Sequence, residues 1–276
     1  MRIAFLGDIM GRTGREAVIG QLPELRRSLG LDFIIINAEN AAGGFGITRG
    51  IAEDLFDAGA DCLTTGNHAF DQRDEIPFFD QETRLLRPAN YPASNPGRGA
   101  GLYTSRDGRQ VLVIQVHGQR FMNPVDDMVP AIERELEGVK LGREADAIVV
   151  DVHAEASSEK YSVGHYLDGR VSLVCGSHTH VPTADVQVLP AGTAYQTDAG
   201  MCGDYDSVIG MDKTVPIEQL VTKMRSARMQ PAAGPATICG IVVDTDDKTG
   251  LSTGAWALRV GGRLAETLPP ARAGDQ

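Results

Sequence analysis

The chain is short of positive charge. Its 276 residues carry 26 lysines and arginines against 37 aspartates and glutamates, for a formal net charge of -11. Such a surface repels polyanions, so neither a large nucleic-acid interface nor an anionic-membrane surface is expected. A small anionic substrate stays open, because a bound divalent metal reverses the sign locally. Cysteine is also sparse: Cys62, Cys175, Cys202 and Cys239 form no CxxC pair. Cys62, Cys175 and Cys239 lie in apolar runs that read as strands, so small buried hydrophobes are expected rather than a disulfide framework. Cys202 lies in a Gly-rich loop, where more exposure is expected. No apolar stretch approaches membrane-spanning length, and Met1-Arg2 runs straight into a short strand. A cytoplasmic protein with no membrane partner is therefore expected. No internal repeat appears, and no linker is long enough to cut the chain.

What is present reads as one α/β domain over 1–268. The composition, 42% hydrophobic and 23% charged, is ordinary for a globular protein, and the length allows an ample core. Ile3–Leu6, Phe33–Ile36 and Cys62–Thr64 read as buried strands. Between them, Val18, Leu22, Leu25 and Leu29 mark one helix, and Ile51, Leu55 and Phe56 mark a second, with Thr48 as its N-cap. This order implies a parallel sheet with right-handed crossovers. Residues 72–140 read as a decorated middle: a helical stretch over Gln72–Asp80, a hairpin around Asp107-Gly108, and a short helix from Met128. Ala147–Asp151 and Val171–Cys175 are two more buried strands. Hairpins follow at 186–196 and 237–260, with a helix over 214–228 between them. The tail over 269–276 is expected to be disordered.

The chemistry lies just after the core strands. Asp8 follows the first, Glu39-Asn40 the second and Gly66-Asn67-His68 the third. His153 follows Ala147–Asp151, and Gly176-Ser177-His178-Thr179-His180 follows Val171–Cys175. In an extended segment, residues two apart share a side, so His178 and His180 could share a metal. Strand carboxyl ends in an open parallel sheet share one edge, where ligands bind. Taken singly, Asp8 or Asn40 is a loop cap and His153 a half-buried histidine. Of the six histidines, His68, His153, His178 and His180 share this rim, with His117 and His165 elsewhere. One shared cause explains the whole set. The donor count suggests two metals, and mixed N/O donors without thiolate suit manganese, iron or zinc. A two-metal site implies hydrolysis, often at phosphorus.

These residues resemble the five ordered motifs of the calcineurin-like metallophosphoesterases. Two departures narrow the resemblance: Met10 stands where the common first motif has histidine, and Glu39 where it has aspartate. Gly-Asp-Ile-Met-Gly-Arg at 7–12 and Asn-Ala-Glu-Asn-Ala-Ala-Gly-Gly at 37–44 resemble the YmdB-like bacterial phosphodiesterases. So do Arg87-Pro88-Ala89-Asn90, Asp151-Val152-His153-Ala154-Glu155-Ala156 and Thr197-Asp198-Ala199-Gly200-Met201, and the match runs to about residue 262. The resemblance implies a four-layered α/β/β/α sandwich, with mixed sheets flanked by helices and a small inserted cap region. It implies a di-iron or di-manganese site, with zinc or magnesium as alternatives, acting on 2′,3′-cyclic nucleotides and artificial phosphodiesters. It further implies that Asp8, Glu39, Asn40 and His180 hold one metal, and that Glu39 bridges to a second held by Asn67, His153 and His178. Asn40 then stands in for the missing histidine at Met10. Homo-oligomerisation fits the family, although no exposed apolar stripe is legible in the sequence.

The mechanism expected is in-line attack by a metal-bridging hydroxide, with His68 protonating the leaving alkoxide as general acid. His68 is the one rim histidine that the ligand count does not need, and Asp71 is a candidate to orient it, which spacing alone does not show. Rival readings are weaker. Ser157-Ser158-Glu159-Lys160 and Lys248-Thr249-Gly250 fit motifs of penicillin-binding enzymes, but no Ser-Asp-Asn accompanies them. Ala42-Gly43-Gly44-Phe45-Gly46 is not a phosphate-binding loop, since no Gly-Lys-Ser/Thr follows. A regulatory metal-binding scaffold or a phosphomonoesterase uses the same ligand motifs.

Overall fold

The computed structural model describes residues 1–224 and 227–272. The chain begins with β1 (Arg2–Leu6), β2 (Asp8–Ile9), α1 (Gly11–Leu29), β3 (Phe33–Asn37), α2 (Arg49–Ala58) and β4 (Cys62–Thr64). Then come α3 (Phe78–Gln81), β5 (Ala100–Thr104), β6 (Gln110–His117), α4 (Met128–Leu136), β7 (Ala147–His153) and α5 (Ser157–Tyr166). The remainder is β8 (Leu173–Ser177), β9 (Gln187–Val188), β10 (Ala194–Gln196), β11 (Met201–Asp204), α6 (Thr214–Thr222), β12 (Ala236–Thr245) and β13 (Ser252–Val260).

The strands form two sheets, not the one open parallel sheet that the strand–helix order suggests. The first runs β2-β11-β12-β1-β3-β4, with β13 on β12; the second runs β5-β6-β7-β8-β10-β9. β1, β3 and β4 are parallel, as are β6, β7, β8 and β10. Side-chain alternation explains why these strands are apolar throughout. Along β1 and β3, Ile3, Phe5, Phe33 and Ile35 enter a core between the sheets, where Val111, Val113, Val149 and Leu173 meet them. Their neighbours Ala4, Leu6, Ile34 and Ile36 face Val18, Leu22 and Leu25 of α1 and Leu55 of α2. On the far side of the second sheet, Leu112, Ile114, Ile148 and Val150 pack with Ile132 of α4 and Val163 of α5. Each such side chain stabilises the fold by about 1.5–3 kcal/mol.

Local expectations meet mixed outcomes. Thr48 does cap α2, its hydroxyl accepting from the Ile51 N–H. The hairpins β5–β6, β9–β10 and β12–β13 form as expected. Residues 72–140 are more than decoration, because β5 and β6 lie within the second sheet and α4 covers it. The stretch from Gln72 to Asp80 splits into a 3₁₀ turn at Arg73–Glu75 and α3, with Pro77 between them. Proline has no N–H to continue a helix through that point. Helix α6 ends at Thr222, where Lys223 adopts a left-handed conformation, and 225–226 lie outside the described residues. It buries no residue and exposes Ile217, Leu220 and Val221. Helix α5 leaves no periodic signal in the sequence, because it buries only Lys160, Val163 and Gly164, which makes no apolar stripe. All four cysteines are buried, Cys202 included, because it belongs to β11 rather than to a loop.

The tail expected to be disordered is held to the body as far as Arg272. The Pro270 carbonyl accepts from Arg2, and Arg272 bonds the Gly30 carbonyl and Asp32. The remainder of that expectation, 273–276, lies outside the described residues. No helix among the described residues is long and apolar enough to cross a membrane.

Candidate metal centre

Strand ends from both sheets converge on one place. β1 leads through Gly7 into Asp8, which is fully buried. One Asp8 oxygen, Oδ2, accepts the His178 N–H at 3.2 Å, whereas Oδ1 is buried without a hydrogen bond, 3.8 Å from His153 Nδ1. Burial pushes this carboxyl up to about 7, against the pull of His180 and His153. β3 ends at Asn37, whose side chain accepts the Glu39 N–H at 3.1 Å and turns Glu39 inward. Burial disfavours the Glu39 charge, yet His153, at 3.1 Å from Oε2, draws the carboxyl down to about 2.

Around His153 the donors crowd. Its Nε2 lies 3.0 Å from Asn67 Oδ1, 3.1 Å from Glu39 Oε2 and 3.1 Å from His178 Nδ1. A ring nitrogen has one lone pair or one proton, so it cannot satisfy three partners. Burial works against a charged His153, but Glu39 outweighs it and holds the ring up at about 9. His178 goes the other way, pushed down to about 3 by burial and by His153.

A second group forms beside it. His180 Nδ1 lies 2.7 Å from the Ile209 carbonyl, which only accepts, so Nδ1 carries the proton. The Asn40 amide nitrogen donates to the Gly44 carbonyl at 2.9 Å, which turns its Oδ1 toward His180 Nε2, 3.1 Å away. In the neutral ring, two acceptors then face each other.

Among the described residues, Glu39, His153 and His178 offer ligand atoms within 4.8 Å of one another, and so do Asp8, Glu39 and His180. Glu39 belongs to both groups. The orphaned Asp8 oxygen and the opposed acceptors are what a cation between them would satisfy, so the residues fit metal ions. Gly66 keeps the space open: a Cβ there would collide with Glu39 Oε2 and His153 Nε2.

The extended geometry that would place His178 and His180 on one side does not occur. β8 stops at Ser177, and the two histidines take φ of 96° and 65°, so they diverge into different groups. The His68 backbone N–H donates to Glu39 Oε2 at 3.3 Å, but its ring bonds to neither group. Its Nδ1 lies 2.8 Å from Asp71 Oδ2, and the Phe45 ring meets it edge-on at 5.1 Å.

A family model described as YmdB-like protein matches residues 4–256. The chain belongs to the YmdB-like family. Its relatives include the 2′,3′-cyclic-nucleotide 2′-phosphodiesterase of Bacillus subtilis, 43% identical over 90% of this chain and 93% of that one. A putative phosphatase/phosphodiesterase of Mycoplasma genitalium is 33% identical over 82% and 81% of the two chains. Among solved structures, a hypothetical protein from Thermus thermophilus superposes with a TM-score of 0.87 at 39% identity, covering 95% of this chain and all of its own, 100%. A Mycoplasma pneumoniae phosphatase gives the same TM-score, 0.87, at 29% identity, covering 95% and 93%.

Several features of this YmdB-like site had no signal in the linear sequence. Glu155 Oε2 sits 3.3 Å from His178 Nε2. His117, placed elsewhere by sequence, pairs with His153 in register at the ends of β6 and β7. It is fully buried, neither ring nitrogen has a partner, and burial pushes it down to about 4. A cavity of about 420 Å³ opens over Glu39, Asn40, His68, His178 and His180, and its far wall is apolar, with Val208, Ile209, Met211 and Met229. That wall comes from a segment after β11 whose sequence has no recognisable motif.

Proposed function

We propose that this protein is a metal-dependent phosphodiesterase that hydrolyses nucleoside 2′,3′-cyclic phosphates at a binuclear centre. The observation that carries the reading is that Glu39 belongs to both donor groups on the floor of one cavity. The activity of the Bacillus subtilis relative supports the substrate class. Asp8, Glu39, Asn40 and His180 would hold one ion, and Glu39, Asn67, His153 and His178 the other. Iron or manganese suits these donors, with zinc or magnesium as alternatives. When bound, such ions neutralise phosphoryl charge and acidify water.

The rest is done by the chain itself. Asp71 accepts from His68 Nδ1 and orients the ring, which leaves Nε2 as the ring atom that would protonate the leaving alkoxide. Phe45 braces the ring from the side. The apolar wall at Val208, Ile209 and Met211 excludes water and receives the uncharged nucleoside body. The three apolar clusters support the four-layered α/β/β/α arrangement that the family resemblance implies.

The test is turnover of 2′,3′-cyclic AMP by the Mn²⁺-loaded protein, compared with the chelated protein and with a phosphomonoester. Fast, chelator-sensitive hydrolysis of the diester supports the reading. Preference for the monoester, or turnover indifferent to chelation, overturns it.

A further inference from the structure

We propose that Asp151 and Ser177 form a positioning relay that sets the tautomer of the neutral His153 ring, keeping the proton on Nδ1 and the lone pair on Nε2. The inference rests on the reading above in one respect, that His153 Nε2 faces a metal.

The argument is a count of protons. Ser177 Oγ lies 2.8 Å from His153 Nδ1 and 2.6 Å from Asp151 Oδ1. A hydroxyl donates once and accepts twice. The Asn37 side-chain N–H approaches the same Oγ at 3.3 Å and can only donate. The other Asp151 oxygen, Oδ2, accepts from Thr64 Oγ1 at 2.6 Å and from the amides of Asn37 and Gln115, each at 3.2 Å. A carboxyl so surrounded by donors is an acceptor. The serine proton therefore goes to Asp151, and the serine lone pairs are left for the Nδ1–H of His153 and for the one Asn37 N–H not given to the Thr65 carbonyl, which Ser177 Oγ shares with Asp151 Oδ2. The chain of bonds runs in one direction, from imidazole to serine to carboxylate.

The reverse direction fails at its far end. It would have Ser177 donate to Nδ1, which puts the ring proton on Nε2 and aims it at Glu39, Asn67 and His178. The lone pair that a metal needs would then be gone. Burial makes the choice firm, because Asn37, Thr64, Gln115, Asp151, His153 and Ser177 are all fully shielded from solvent. The anchor also spans the molecule: Asn37 and Thr64 belong to the first sheet, and Gln115, Asp151 and Ser177 to the second. Both sheets thus hold the ring angle of one histidine. Partners of this kind raise ligand basicity and fix ring orientation at metal sites.

Two measurements test the relay. The first is long-range proton–nitrogen NMR on the metal-free full chain labelled with nitrogen-15 histidine, taken at a pH high enough that the His153 ring, held charged by Glu39 at lower pH, has lost one of its two protons. Wild type is expected to show a protonated Nδ1 and a bare Nε2 for His153; Ser177→Ala is expected to show a mixture of tautomers. The second is Mn²⁺ calorimetry. Ser177→Ala is expected to weaken one of the two sites by about tenfold to a hundredfold, the range for lost outer partners of metal ligands. Ser177→Thr, which restores a hydroxyl, is expected to recover the wild-type tautomer. A proton on Nε2 of the neutral ring in wild type overturns the relay, and so does unchanged Mn²⁺ affinity in Ser177→Ala. Failure of wild type to take up Mn²⁺ would sink the metal-centre reading instead, while the tautomer in the metal-free chain would still decide the relay.

Discussion

Nε2 of His180 lies 3.1 Å from Oδ1 of Asn40, and in the neutral ring each atom faces the other as an acceptor. The backbone enforces this. The carbonyls of Ile209 and Gly44 occupy the donors at the far ends of the two side chains. Turning His180 would strand its Nδ1–H, and flipping Asn40 would set its Oδ1 against the Gly44 carbonyl, each leaving a buried polar group unmet at a cost of about 1–3 kcal/mol. The pair is preset for a cation.

Asn40→Ala removes one of these acceptors and leaves the other group around His153 intact. The purified variant is expected to hold one metal ion where wild type holds two, measured by elemental analysis. Two ions in Asn40→Ala would remove this residue from the ligand set.

His68 makes its side-chain hydrogen bond to Asp71 rather than to either donor group. His68→Ala is expected to keep both ions and to lose about 10²–10⁴-fold in kcat on 2′,3′-cyclic AMP, the usual worth of a positioned general acid. A substrate with a good leaving group, such as bis-p-nitrophenyl phosphate, needs less help and is expected to lose less. Equal losses on both substrates would argue against proton donation.

Ile209 lines the apolar wall of the cavity, and its side chain is half exposed. Ile209→Asp places a charge where the nucleoside is expected to lie. KM for 2′,3′-cyclic AMP is expected to rise while metal content stays at the wild-type value. The comparison substrate is glycerol 1,2-cyclic phosphate, which has no base and is expected to be much less affected. A parallel loss on both would show that the wall does not receive the base.

Gly66 has no room for a side chain, because a Cβ would press on Glu39 and His153 together. Gly66→Ala is expected to lower stability by about 1–3 kcal/mol, as overpacking does, and to weaken metal binding at the group containing both residues. Thermal melting with and without Mn²⁺ separates the two effects: the variant should gain less from added metal than wild type. An equal gain would show that the centre absorbs the methyl group.

Much of the site was legible because strand ends are easy to find. Phe33–Asn37 and Ala147–His153 are apolar runs that stop at polar residues, and position after a strand is a local property. Asp8, Glu39, Asn40, Asn67, His153, His178 and His180 could all be named that way. His117 could not. It also ends a strand, β6, but its meeting with His153 depends on parallel pairing between distant segments. Nor was the splitting of the strands into two sheets readable from their order. A strand buried on both faces looks the same in a single open sheet and in one leaf of a stacked pair.

The sequence by itself determined the inventory: which imidazoles, carboxylates and amides stand at strand ends, and that the surface around them is acidic. Only the tertiary structure decided how they divide. His178 and His180 are two residues apart, yet left-handed backbone angles send them to different groups. Glu39 enters both, because the two sheets bring their carboxyl ends to one place. Partition of this kind depends on backbone angles and sheet stacking, which are set by packing over the whole chain and leave no mark in a five-residue motif.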